Sequence, residues 1–104
     1  MQTIIYEPIS KEKSLIILHA NLLTKIDILK PNIIQLRDIF ANIPGNDTQA
    51  FLSEVYSSDP QVIIKSATVM SQAILKFAQT TGGQTNRLRT IIVTLGEKGV
   101  LLYG

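Results

Sequence analysis

Thr94-Leu95-Gly96-Glu97-Lys98-Gly99 is the segment of this chain with the most chemistry in it. A threonine at the carboxyl end of a β-branched run, followed by glycines, is where open α/β sheets place ligands. The glycines let backbone amides approach an anion, and the Thr94 hydroxyl can donate. The same residues equally suit an ordinary hairpin turn. Asp27-Ile28-Leu29-Lys30-Pro31-Asn32 has a matching layout: a strand end, a proline, then an amide side chain at a helix start. Asn32 suits the N-cap, and Gln35 lies one turn along the same helix face. Both side chains can reach a ligand above the sheet. Equally, Gln35 at N3 can reach back and complete a capping box. The dipole at this helix end favours phosphate by about 0.3–1 kcal/mol.

Other constellations carry less. Gly82-Gly83-Gln84-Thr85-Asn86 can cradle a phosphate, or simply end a helix as C-terminal glycines commonly do. The single histidine, His19, sits among Ile16, Ile17, Leu18 and Ala20, the setting of a helix-packing side chain. A catalytic triad would need an orienting acid and a nucleophile beside it. There is no Gly-x-Ser-x-Gly elbow and no Walker A loop. Zero cysteines remove disulfides, thiolate zinc sites and Cys nucleophiles together.

The 104 residues, 45% hydrophobic and 17% charged, fit one domain with one core and exclude wholesale disorder. No apolar run approaches the ~20 residues of a spanning helix, so no membrane association is expected. Met1 to Pro8 does not read as a signal peptide, and the missing thiols suit the cytoplasm. The net charge of +2 is mild, with basic residues dispersed apart from Arg87 and Arg89. With 6% aromatics and no Trp, there is no basic stripe interleaved with rings, so nucleic acid is not an expected partner.

The elements that must position these residues follow from the apolar pattern. Thr3 to Tyr6 reads as a short buried strand stopped at Pro8. Ser10 caps a helix running through Leu15, Ile16, Leu18, Leu22 and Leu23. Ile26 to Leu29 is a second strand, ended by Lys30-Pro31. Ile33, Ile34, Leu36, Ile39 and Phe40 predict a second helix after Asn32, stopping before Pro44-Gly45. A short helix at Gln49 to Tyr56 is weakly signalled, and Gln61 to Gln79 gives a long one terminated at Thr80 to Gly83. Thr90 to Leu95 and Val100 to Tyr103 are strands joined by Gly96 to Gly99 into a hairpin. Strands separated by helices of this length imply βαβ crossovers, a mostly parallel sheet with helices on its faces, and a terminal antiparallel hairpin. The class is α/β. Open apolar strand edges are a route to self-association.

Together these pieces resemble the ribokinase-like (PfkB-type) carbohydrate kinases. Asp27-Ile28-Leu29-Lys30-Pro31-Asn32-Ile33-Ile34-Gln35-Leu36 is similar to the family's Pro-Asn-x-x-Glu segment. Some sixty residues later, Ile92 to Val100 resembles its Thr-Leu-Gly-x-x-Gly nucleotide-binding turn. Tyr6-Glu7-Pro8-Ile9-Ser10 with Lys13-Ser14 is similar to the start seen in the pseudouridine kinase branch. The resemblance implies a partial three-layer ribokinase-like domain over residues 1–104. It also implies ATP and Mg2+ as cofactors, and phosphoryl transfer to the hydroxyl of a sugar or nucleoside such as pseudouridine. By that match Asn32, Thr94, Gly96 and Gly99 face the nucleotide, with Leu95, Glu97 and Lys98 lining the same turn. Gln35 takes the position of a Glu that acts on the metal through water.

Two departures shape the expectation. Gln35 keeps the size and hydrogen bonding of that Glu but drops its charge. The family's Gly-Ala-Gly-Asp motif, which supplies the anion hole and catalytic base, is absent, as is the N-terminal half with the substrate segment and lid. A missing general base costs ~10²–10⁴ in rate, and missing preorganised donors a comparable factor. The expectation is therefore a fragment of an ATP-dependent kinase that is not competent alone. The rival is a non-catalytic α/β interaction module or truncated pseudoenzyme.

Overall fold

The β-branched and aromatic runs form one four-stranded sheet: β1 (Ile5–Tyr6), β2 (Ile28–Leu29), β3 (Thr90–Thr94) and β4 (Val100–Tyr103), in the order β1-β2-β3-β4. β1, β2 and β3 are parallel, and β4 returns antiparallel to β3 as a hairpin. The computed structural model describes residues 3–8, 10, 19–47 and 49–104, and of 19–21 the backbone alone. The fold is α/β with an open mixed sheet.

Two α-helices lie between β2 and β3: α1 (Ile33–Ala41) and α2 (Pro60–Gly82). Local chemistry sets their ends. Asp59 accepts from the Gln61 amide and Pro60 opens α2, where its missing N–H costs nothing. Gly83, at φ 53°, closes it. Leu29, Ile91 and Val93 on one sheet face meet Leu36 and Ile39 of α1 and Met70 and Ile74 of α2, all fully buried. At about 1.5–3 kcal/mol per buried aliphatic side chain, this layer is the main source of stability. Among the described residues no helix is long and apolar enough to cross a membrane.

The opposite sheet face follows from the strand registers. Ile5 pairs with Ile28, Ile92 with Leu102 and Thr94 with Val100, so these side chains alternate away from the core. Ile5 is 57% exposed, Val100 63% and Leu102 69%.

At the amino ends of the parallel strands one carboxylate fixes the register. Asp27 accepts from the Ile4 amide at 2.7 Å and from Arg87 Nη2 and Nε at 2.9 and 3.2 Å. Its own carbonyl accepts from the Arg89 amide at 3.0 Å. The chain entering β1, β2 and β3 is thereby tied together by a single residue.

The structure differs from the sequence expectation in four places. β1 is not buried: it is an edge strand whose outward face is exposed, with Ile5 at 57%. The expected first helix falls largely on residues 11–18, which lie outside the described residues; His19–Lys25 is a 3-10 helix. Asn21 and Thr24 are poor α-helix formers, and the segment must turn directly into β2. The segment Gln49 to Tyr56 is turns followed by a 3-10 helix at Glu54–Tyr56, because Phe51 adopts φ 60° and breaks any longer helix. Its ring packs edge-on against Phe40 at 5.4 Å. α2 continues past Gln79 to Gly82, since Gly83 and not the threonine pair supplies the stop.

Candidate functional site

Because β2 and β3 are parallel neighbours, the loops leaving their carboxyl ends emerge on the same rim. The contact is direct. Asn32 and Thr94 form an isolated parallel bridge, and the Thr94 amide donates to the Pro31 carbonyl at 3.0 Å. The two segments singled out in the sequence are therefore adjacent.

Asn32 is the N-cap of α1, with extended backbone angles of φ −79° and ψ 174°. Its Oδ1 accepts from the Gln35 amide at 2.8 Å, and Gln35 Oε1 accepts from the Asn32 amide at 2.9 Å. This is the complete capping box. Gln35 does more. Its Nε2 donates to the Pro8 carbonyl at 2.7 Å, so the segment after β1 is drawn onto the same rim. Among the described residues no hydrogen bond uses Asn32 Nδ2 or the Thr94 hydroxyl; Asn32 is exposed and Thr94 half-buried.

The turn from Thr94 to Gly99 is a single 3-10 turn over Gly96–Lys98. Gly96 at φ 62° and Gly99 at φ 103° occupy left-handed backbone that other residues rarely adopt. A side chain built at either would meet nothing within 4 Å, so the backbone is open to close approach. Leu95 departs from its expected role. Its side chain is buried in the core, and its amide is spent closing the turn on the Gly99 carbonyl at 2.8 Å. An apolar strand-end residue gains more from burial than from solvent. Glu97 and Lys98 are exposed on the turn.

Sequence reading passed over Lys30. The register that pairs Leu29 with Ile91 and Asn32 with Thr94 sets Lys30 beside Ile92, on the same sheet face as Thr94. It is half-buried, and its amide donates to the Tyr6 carbonyl at 2.8 Å. A lysine immediately before the strand-ending proline was the available signal. Lys30 and Lys98 at this rim are matched in number by Glu7 and Glu97, so directed donors, not net charge, would select a ligand here.

Among the described residues of this rim no group of three or more His, Asp or Glu side chains converges to form a protein-only metal site, and each end of the Gln35 amide already bonds the backbone. The remaining sequence candidates lie elsewhere. Gly82 to Asn86 is a helix end and a 3-10 turn at the amino end of β3. His19 lies in the 3-10 segment with its side chain outside the description, and Ile9, Lys13 and Ser14 lie outside the described residues. A cavity of about 710 Å³ opens between α2 and the end of β4, walled by Lys76, Arg89 and Tyr103. It sits at the amino rim of the parallel strands, across the sheet from Asn32 and Thr94.

Comparison with protein-family models, with curated proteins and with solved structures returned no match.

Proposed function

We propose that this chain carries the nucleotide-binding rim of a ribokinase-like sugar or nucleoside kinase, in the manner of the pseudouridine kinases, with ATP as the nucleotide and a cytoplasmic setting. One observation supports it above the others: Asn32 and Thr94 are bridge partners at the carboxyl rim of parallel strands, with the Gly96–Gly99 turn beside them. That rim is where open α/β sheets bind ligands. Asn32 Nδ2, the Thr94 hydroxyl and the Gly96 and Glu97 amides are donors suited to phosphate oxygens, the Lys98 and Gly99 amides being used to close the turn. In the three-layer arrangement of such kinases, a second helical layer would cover the sheet face that carries Ile5, Val100 and Leu102. The 104 residues contain no Gly-Ala-Gly-Asp sequence, so the reading is tested on nucleotide binding. Titration of the ¹⁵N-labelled chain with ATP is expected to shift Thr94, Gly96 and Gly99 selectively. A flat titration at these residues sinks the reading.

The exposed apolar face supports a second reading, an interaction module that completes its sheet or its layers with another chain. β4 is an edge strand without charge or proline to protect it. If this reading holds, sedimentation velocity detects self-association that Leu102→Lys removes. A concentration-independent monomer speaks against it.

A further inference from the structure

Gln35 is the residue where the sequence expectation and the geometry part most sharply. The family resemblance gives position 35 an indirect metal role, yet each end of its amide already bonds the backbone. Oε1 accepts from the Asn32 amide at 2.9 Å, and Nε2 donates to Pro8 O at 2.7 Å, across 27 residues of sequence. The second bond needs a donor. A carboxylate in the same place has only acceptors and would oppose the Pro8 carbonyl with like partial charge. Pro8 is itself buried, so its carbonyl has reason to keep a protein partner. The glutamine thus performs a task that glutamate could not perform while ionised.

We propose that Gln35 is a positioning residue that clamps the loop after β1 to the start of α1, and that the rim consequently takes nucleotide as the uncomplexed polyphosphate, not as its magnesium complex. The second half rests on the nucleotide-rim reading above. The clamp fixes the segment after β1, the Pro31-Asn32 corner and, through the Asn32–Thr94 bridge, the glycine turn as one unit. Among the described residues no group of three or more His, Asp or Glu side chains converges on that unit to hold a divalent ion.

Three measurements on the whole chain test this. Mn2+ without nucleotide should leave the Gln35 side-chain NH₂ and the Asn32 amide unbroadened; broadening centred on them overturns the clamp as a replacement for metal binding. ATP titrations in EDTA and in excess Mg2+ should have midpoints equal within about twofold, or tighter in EDTA; tightening of about tenfold by Mg2+ overturns the metal-free mode. Gln35→Glu keeps the acceptor but removes the donor. At neutral pH it should raise hydrogen exchange at the Lys30 amide, which bonds the Tyr6 carbonyl at the end of β1, by up to about tenfold while the α1 amides stay protected, as expected for loosening one hydrogen-bonded segment. Unchanged exchange at Lys30 overturns the clamp. A chain that ignores ATP in both buffers overturns the nucleotide-rim reading, and with it the metal-free mode, while the Mn2+ and exchange measurements still decide the role of Gln35.

Discussion

Asn32 and Thr94, some sixty residues apart in sequence, are bridge partners where two parallel strands end. The bridge is held by a backbone bond from Thr94 to the carbonyl of Pro31, so it does not depend on either side chain. That separation has a practical use: the side chains can be changed while the rim keeps its shape.

Thr94→Val is the cleanest such change. Valine has the same branched shape and suits a strand, so stability should move by no more than about 0.5 kcal/mol. Loss of the hydroxyl should weaken the ATP midpoint by about three- to tenfold, the worth of one hydrogen bond. Equal ATP shifts for Thr94→Val and the parent chain would remove the hydroxyl from the site.

The acid response of the fold should trace to Asp27. The Ile4 amide that donates to its carboxylate holds the group below the usual carboxylate range, and the Arg87 guanidinium adds to this, while partial burial opposes it. The folded-state pKa is thus lower than the unfolded one. The stabilisation is complete above the unfolded value and is lost as pH falls through the folded value. Urea midpoints should therefore be level from neutral pH to about pH 5 and decline below it. Asp27→Asn should lower the midpoint at pH 7 and flatten the acid decline. Parallel pH curves for the two proteins would show that Asp27 does not carry the effect.

Much of this architecture is legible from periodicity alone, and the reasons for the exceptions are physical. Thr90 to Thr94 and Val100 to Tyr103 are β-branched or apolar runs flanking a glycine turn, and they became a hairpin. Ile91, Ile92 and Val93 in succession read like a strand covered on both faces. In the structure Ile91 and Val93 are buried but Ile92 is only half-buried. A continuous apolar run does not distinguish one covered face from two. Long-range polar bonds leave even less trace. Gln35 to Pro8 and Arg87 to Asp27 join residues with no shared period, so the capping role of Gln35 was readable from its N3 spacing while its clamp on Pro8 was not.

Ser71 offers a stability gain. Its hydroxyl, on the buried face of α2, has no hydrogen-bond partner among the described residues. A buried unpaired hydroxyl costs about 1–3 kcal/mol of desolvation, and alanine is the better helix former. Ser71→Ala should raise stability by about 1 kcal/mol, or roughly 4 °C in Tm for a chain of this size. A lower Tm would indicate that the hydroxyl has found a partner in solution.

Gly82 makes the opposite case, a glycine required by its neighbours. A Cβ built there would lie 2.7 Å from Thr24 Cγ2, 2.9 Å from Thr24 Cβ and 3.1 Å from Asn86 Cβ. The last turn of α2 can pack against the segment before β2 only because no side chain stands between them. Gly82→Ala should cost about 1–3 kcal/mol from overpacking, larger than the alanine helix-propensity gain so near the helix end. Thr24→Ser in the same chain removes the nearest methyl while keeping a hydroxyl, and should recover part of the loss. Chemical denaturation of the four proteins of this double-mutant cycle measures the coupling. Simple additivity would place the cost of Gly82→Ala in the backbone and not in the contact with Thr24.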